Sequence, residues 1–119
     1  MAVSVLVVDD DATFRRLARR LLAASGLVVV AEAGSVAEAL ATAMEARPDA
    51  ALVDVELPDG DGFELAGRLT TLPWRPRVVV TSVQSNGSFS DEARRRGAET
   101  FVLKADLPRA PLATLFAAE

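Results

Sequence analysis

Four separate places in the 119-residue sequence carry side chains that could do polar chemistry together: Asp9-Asp10-Asp11, Asp54, the pair Thr81-Ser82, and Lys104. Carboxylates gathered at one point repel one another and raise each other's proton affinity. A hard divalent cation and an ammonium relieve that repulsion, and Mg2+ suits a site of one or two carboxylates, water and phosphate oxygens. A carboxylate held beside such an ion and a lysine can attack a phosphoryl group and become an aspartyl phosphate, because both cations neutralise charge on the transferring oxygens. Other chemistries are closed. The chain has no cysteine and no histidine, which excludes disulfides, thiol nucleophiles, imidazole acid–base catalysis and the usual zinc sites.

The four places must be brought together by the elements around them. Residues 3–8 (VSVLVV) are a β-branched run apolar on both faces, as in a covered parallel strand, and the three aspartates follow at once. Phe14, Leu17, Ala18, Leu21 and Leu22 recur at helical spacing, with Arg15, Arg16, Arg19 and Arg20 on a solvated face and Ser25-Gly26 as the stop. Residues 27–31 predict a second strand. Ser35 with Glu38 reads as a capping box opening a helix to about Ala46, which Pro48 ends. Residues 50–55 predict a third strand with Asp54 near its end; the turn 58–62 then leads into a helix over 63–70. Residues 78–82 predict a fourth strand. The poor helix formers at 85–88 delay the next helix to near Ser88 or Ser90, and it runs through 91–96 to Gly97. A fifth strand is predicted at 100–103, then a loop and last helix over 106–119, with Pro108 and Pro111 in or before its first turn.

This is a (βα)5 pattern without linker, repeat or low-complexity segment, so it predicts a single domain over residues 1–119. Short alternating connections imply a parallel sheet with right-handed crossovers and helices on both faces. In an open sheet of that kind, ligands sit outside the carboxyl ends of the strands. Asp9 to Asp11, Asp54, Thr81-Ser82 and Lys104 all fall there, on one rim.

With those residues in place, the sequence resembles the receiver domain of two-component response regulators. The resemblance is carried by VLVVDD (5–10), ALVDVELPDGDGFEL (51–65), VVVTS (78–82) and GAETFVLKADL (97–107), in order and at family spacing along the whole chain. It implies a flavodoxin-like doubly wound sheet of strand order 2-1-3-4-5. It implies that Asp54 is the phosphoacceptor, that Asp10 binds Mg2+ directly and Asp9 through water, and that Asp54 and the Glu56 backbone carbonyl complete the metal site. Lys104 would hold a phosphoryl oxygen. An ungapped count back from Gly97 and Lys104 puts the switch hydroxyl at Ser82, with Thr81 as the alternative; strand alternation lets only one of them face the phosphate. Phe101 falls on the aromatic switch position, and Glu56 and Gln84 lie where receivers tune hydrolysis. Lys104 is followed by Ala105, where many receivers carry a proline.

The implied partners are a histidine kinase and a downstream protein or a C-terminal output domain, and homodimerisation through the last helix is a further expectation. A net charge of −4 and the lack of a long basic block argue against direct nucleic-acid binding. No apolar run reaches membrane-span length and the start lacks signal-peptide character, so a cytoplasmic location is expected. Turnover of an external substrate is not expected. Two other functions compete. Asp9-Asp10-Asp11-Ala12-Thr13 also reads as the nucleophile loop of a haloacid-dehalogenase-type phosphatase, with Asp9 as nucleophile, Asp11 as acid/base and Thr13 as stabiliser. A non-phosphorylated pseudo-receiver would act only as a binding module. Simpler structural roles stand beside these: Asp11 as a helix cap, Phe101 as core packing, and Arg94-Arg95-Arg96 as a basic helix C-terminus.

Overall fold

The computed structural model describes residues 2–117. Among them, β1 (Ser4–Val8), β2 (Val28–Ala33), β3 (Ala50–Asp54), β4 (Arg77–Ser82) and β5 (Thr100–Leu103) form one parallel sheet of order β2-β1-β3-β4-β5. The helices α1 (Ala12–Ala24), α2 (Val36–Ala46), α3 (Gly62–Leu69), α4 (Phe89–Arg95) and α5 (Leu112–Phe116) follow the strands in turn. This is the flavodoxin-like α/β fold, with the direction of winding reversing between β1 and β3.

Strand alternation explains the two cores. Leu6, Val8, Val53, Val78 and Val80 point to one face and pack with Ala39, Phe63, Ala66 and Ala93 of α2, α3 and α4. Val5, Val7, Leu52 and Val79 point to the other, against Phe14, Ala18 and Leu22 of α1 and Leu112 and Phe116 of α5. Both faces of the central strands are covered, so their sequences are continuously apolar rather than alternating. Each fully buried Val or Leu contributes roughly 1.5–3 kcal/mol to holding the rim in register.

The helix starts follow their caps. Asp11 accepts the Thr13 and Phe14 amides, Asp61 accepts the Phe63 amide, and Ser35 accepts the Glu38 amide. The Glu38 carboxylate reaches the Gly34 amide, closing the turn one residue earlier than the expected box. α4 begins at Phe89, delayed as the Ser-Asn-Gly-Ser run dictates.

Four features differ from expectation. β2 runs on to Ala33, because its pairing with β1 continues through Val7↔Glu32 and Val8↔Ala33 and Arg15 and Arg19 neutralise Glu32. Leu17, on the apolar stripe of α1, is 45% exposed at the stripe's margin. The turn after β3 contains a two-residue antiparallel ribbon, Glu56–Leu57 with Gly60–Asp61. The last helix is short: a 3-10 helix, Lys104–Arg109, precedes it, and Pro108 and Pro111 cannot donate the amides a longer α-helix needs. The expected continuation to Glu119 lies outside the described residues. No helix among the described residues is long and apolar enough to cross a membrane.

Candidate functional site

Parallel register delivers the polar residues to one rim. Val8 pairs with Val53, Asp54 with Thr81, and Ser82 with Leu103, so Asp9, Asp54, Ser82 and Lys104 all stand at or just past the strand ends. Asp9, Asp10, Asp11, Asp54, Glu56 and Lys104 line an open cleft of about 330 Å3, with Leu57, Pro58 and Val83 as its apolar lip.

Asp9 is completely buried. Its Oδ1 accepts the Asp11 amide at 2.9 Å. Its Oδ2 lies 2.7 Å from Lys104 Nζ, but the angles fall outside hydrogen-bonding geometry, so this buried oxygen has a neutralising charge beside it and no hydrogen-bond donor among the described residues. Lys104 Nζ is also 3.8 Å from Asp54 Oδ2 and 4.1 Å from the centroid of the Phe14 ring. One carboxylate oxygen from each of Asp9, Asp10 and Asp54 falls within 4.8 Å of the others. An orphaned buried oxygen beside two further carboxylates is a donor set for a hard cation such as Mg2+.

Electrostatics agree with that reading. The Asp54 carboxyl is pushed up from 3.8 to about 6, first by burial and then by the charge of Asp9. Lys104 and the Glu56 amide pull the other way, and Asp10 adds a further upward push. In a cation-free state, Asp54 therefore holds its proton more tightly than an isolated aspartate. A cation bound among the three carboxylates would reverse that preference.

The two hydroxyls separate cleanly. Thr81 Oγ1 is buried and donates to the Val102 carbonyl at 2.7 Å. Ser82 Oγ accepts the Gln84 amide at 3.3 Å and donates to no acceptor among the described residues. Both are buried, and neither is among the residues that line the cleft. Phe101 lies away from the cleft, half-buried and edge-on to Phe89 at 5.2 Å, and Phe89 is in turn edge-on to Phe63 at 5.2 Å.

One expectation is corrected. Arg15 does not belong to a solvated face: its Nη1 donates to the Asp9 carbonyl at 2.5 Å and its Nε to Glu32 at 2.9 Å. The charged Glu32 within an otherwise apolar strand was the signal for such a partner. The phosphatase reading gains no support, since Asp11 is engaged as the α1 cap. Sequence reasoning missed Asp59, whose carboxylate accepts the Val36 and Ala37 amides at 2.7 and 3.0 Å and ties the loop after Asp54 to α2. The reason for glycine at position 62 also emerges only in the fold, where a Cβ would stand 2.0 Å from the Asp54 carbonyl oxygen. That close approach, rather than an unusual φ, requires glycine.

A doubly wound sheet with an acidic triad and a lysine at its carboxyl edge is compatible with a signalling receiver domain. Residues 5–112 match the response regulator receiver domain, and the chain belongs to that family. It is 45% identical over 104 residues to the DNA-binding transcriptional activator DevR/DosR of Mycobacterium tuberculosis, covering 86% of this chain and 48% of that protein. Chemotaxis protein CheY of Bacillus subtilis is 31% identical over 104 residues, covering 87% of each. The chain spans about half the length of the first two curated relatives it matches, 48% of each. Among solved structures, the signal receiver domain of the response regulator NarL from Mycobacterium tuberculosis superposes with a TM-score of 0.83 at 30% identity, over 98% of both chains. CheY in its complex with CheX, BeF3 and Mg2+ from Borrelia burgdorferi shares the fold, with a TM-score of 0.84 at 19% identity, over 98% of this chain and 90% of that one. With a DNA-binding activator among the relatives, the expectation that the whole protein avoids nucleic acid gains no support.

Proposed function

We propose that this chain is a phosphorylation-dependent switch that accepts a phosphoryl group on Asp54 from a histidine kinase and thereby changes its binding to a downstream partner. The observation that carries this reading is the meeting of Asp9, Asp10, Asp54 and Lys104 around one cleft, with Lys104 Nζ between Asp9 and Asp54. Asp10, Asp54 and the Glu56 carbonyl would hold Mg2+, with Asp9 acting through water. When bound, Mg2+ supplies positive charge to the transferring oxygens and favours the ionised form of Asp54.

In this reading, ionised Asp54 attacks phosphorus, an O–P bond forms, and the P–N bond to the donor imidazole breaks with its electron pair leaving on nitrogen. Lys104 donates an N–H to one phosphoryl oxygen, and Ser82 donates its free hydroxyl proton to another. Thr81 is the weaker candidate, its hydroxyl being engaged by Val102. Movement of Ser82 is passed to Phe101, whose contact with Phe89 links β5 to the start of α4. Output then goes to a protein partner or an attached output domain, in the cytoplasm, with homodimerisation at the last helix as one form of it.

Intact-protein mass spectrometry after incubation with Mg2+ and acetyl phosphate tests the proposal. One added phosphoryl group, absent in Asp54→Asn and retained in Asp11→Asn, is expected. An unlabelled parent protein that is also spectroscopically silent to beryllofluoride would overturn it and leave a pure binding module.

A further inference from the structure

We infer that Phe14 is a positioning residue for Lys104, its ring face holding the ammonium between Asp9 and Asp54. The inference rests on the phosphoacceptor reading for its consequence, though not for the contact itself. The α1 cap sets the position of the ring. Asp11 fixes the first turn by accepting the Thr13 and Phe14 amides, which makes Phe14 the third residue of the helix. Helical side chains lean toward the helix N-terminus, so a residue here leans back toward the strand ends. The Phe14 ring accordingly reaches the rim while remaining 8% exposed among Val5, Val7 and Ala18.

Lys104 needs such a neighbour. Its side chain is only 16% exposed, so the ammonium has given up much of its water. Asp9 Oδ2 is near but misaligned for a hydrogen bond, and Asp54 Oδ2 at 3.8 Å is too far for one. The ring centroid lies 4.1 Å from Nζ, inside the ~6 Å range in which an aromatic face attracts a cation. An ammonium drawn to a π-face keeps its N–H groups free, unlike one fully hydrogen-bonded to a carboxylate. Those N–H groups are what an incoming phosphoryl oxygen requires. With an aliphatic residue at position 14, the flexible side chain would lose the ring that holds it over the rim and turn toward solvent, and the approach to Asp54 would be lost.

Lys104 is the only lysine in the chain, so its ε-methylene protons give an unambiguous NMR signal. In the parent protein that signal should be shifted upfield by the ring current, and in Phe14→Leu it should return to the value of a solvated lysine; an unshifted parent signal overturns the contact. Phe14→Leu should slow acetyl-phosphate labelling of Asp54 by roughly three- to tenfold, the effect of one partly desolvated cation–π contact. Its Mg2+ dissociation constant should move less than about twofold on the same reasoning. Phe14→Trp should keep the upfield shift and restore the labelling rate. Equal impairment of the Leu and Trp variants, or parent-like labelling by the Leu variant, overturns the positioning role. If the parent protein shows the shift but takes no label, the phosphoacceptor reading fails while the Phe14–Lys104 contact stands.

Discussion

Asp54→Asn should stabilise the metal-free protein at neutral pH, although it removes the central residue of the site. Asp54 exposes 7% of its surface beside Asp9, and its carboxyl is raised from 3.8 to about 6 by burial and that neighbouring charge. The folded state therefore binds this proton more tightly than the unfolded chain does. Below pH 3.8 both states are protonated and the residue is neutral to stability; as pH rises from 3.8 to about 6 a penalty accumulates, and above that it is complete. Two pH units correspond to a ceiling of about 3 kcal/mol at 1.36 kcal/mol per unit. The cleft is open to water and counter-ions, which lowers the expected figure to roughly 1–2 kcal/mol. Urea unfolding in chelator at pH 8 should show the Asn variant with a midpoint higher by about 0.5–1.5 M, given a slope typical of a small domain. The difference should shrink as pH is lowered toward 4. Mg2+ should raise the parent midpoint more than that of the variant, which has lost a ligand. A variant no more stable than the parent at pH 8, or a gain independent of pH, would refute the account of Asp54 as a carboxylate held in an unfavourable field.

Other substitutions separate positioning from chemistry. Gly62→Ala puts a methyl group into the Asp54 carbonyl; equilibrium unfolding should show a loss of about 2–4 kcal/mol, with phosphodonor labelling reduced as the Asp54 backbone shifts. Thr81→Val removes one buried hydrogen bond and should cost roughly 0.5–1.5 kcal/mol in urea unfolding while leaving the labelling rate intact. Ser82→Ala should do the reverse, altering the response to beryllofluoride in NMR with little change in unfolding midpoint. Asp59 is held below the usual carboxylate range by the Val36 and Ala37 amides, so its contribution is present above the unfolded value of 3.8 and fades as pH falls through the depressed one. Asp59→Ala should therefore lower the melting temperature at pH 7, with the gap to the parent narrowing in acid.

Much of the fold was legible in the chain because its strands are unmixed apolar runs and its helices carry strong caps. Asp11, Ser35 and Asp61 cap where local spacing puts them, and the Ser-Asn-Gly-Ser run delays α4 for reasons of local propensity alone. The members of the acidic rim were legible too, since each lies next to the end of a recognisable strand. Element ends were harder to read. β2 reached Ala33 only because α1 supplied arginines to Glu32, and the last helix shortened around two prolines.

Residue types, strand ends and caps, then, are properties of the sequence itself, because they depend on side chains within a few positions of each other. Which hydroxyl is engaged, why Asp54 binds a proton more tightly than an isolated aspartate, and what seats Lys104 were decided only by tertiary structure. Those outcomes depend on Val102, Asp9 and Phe14, residues that lie far along the chain and become neighbours only when parallel strands bring their ends to a common edge and exclude water there. Coulomb and π interactions act through that space, and their strength follows distance and burial rather than sequence separation.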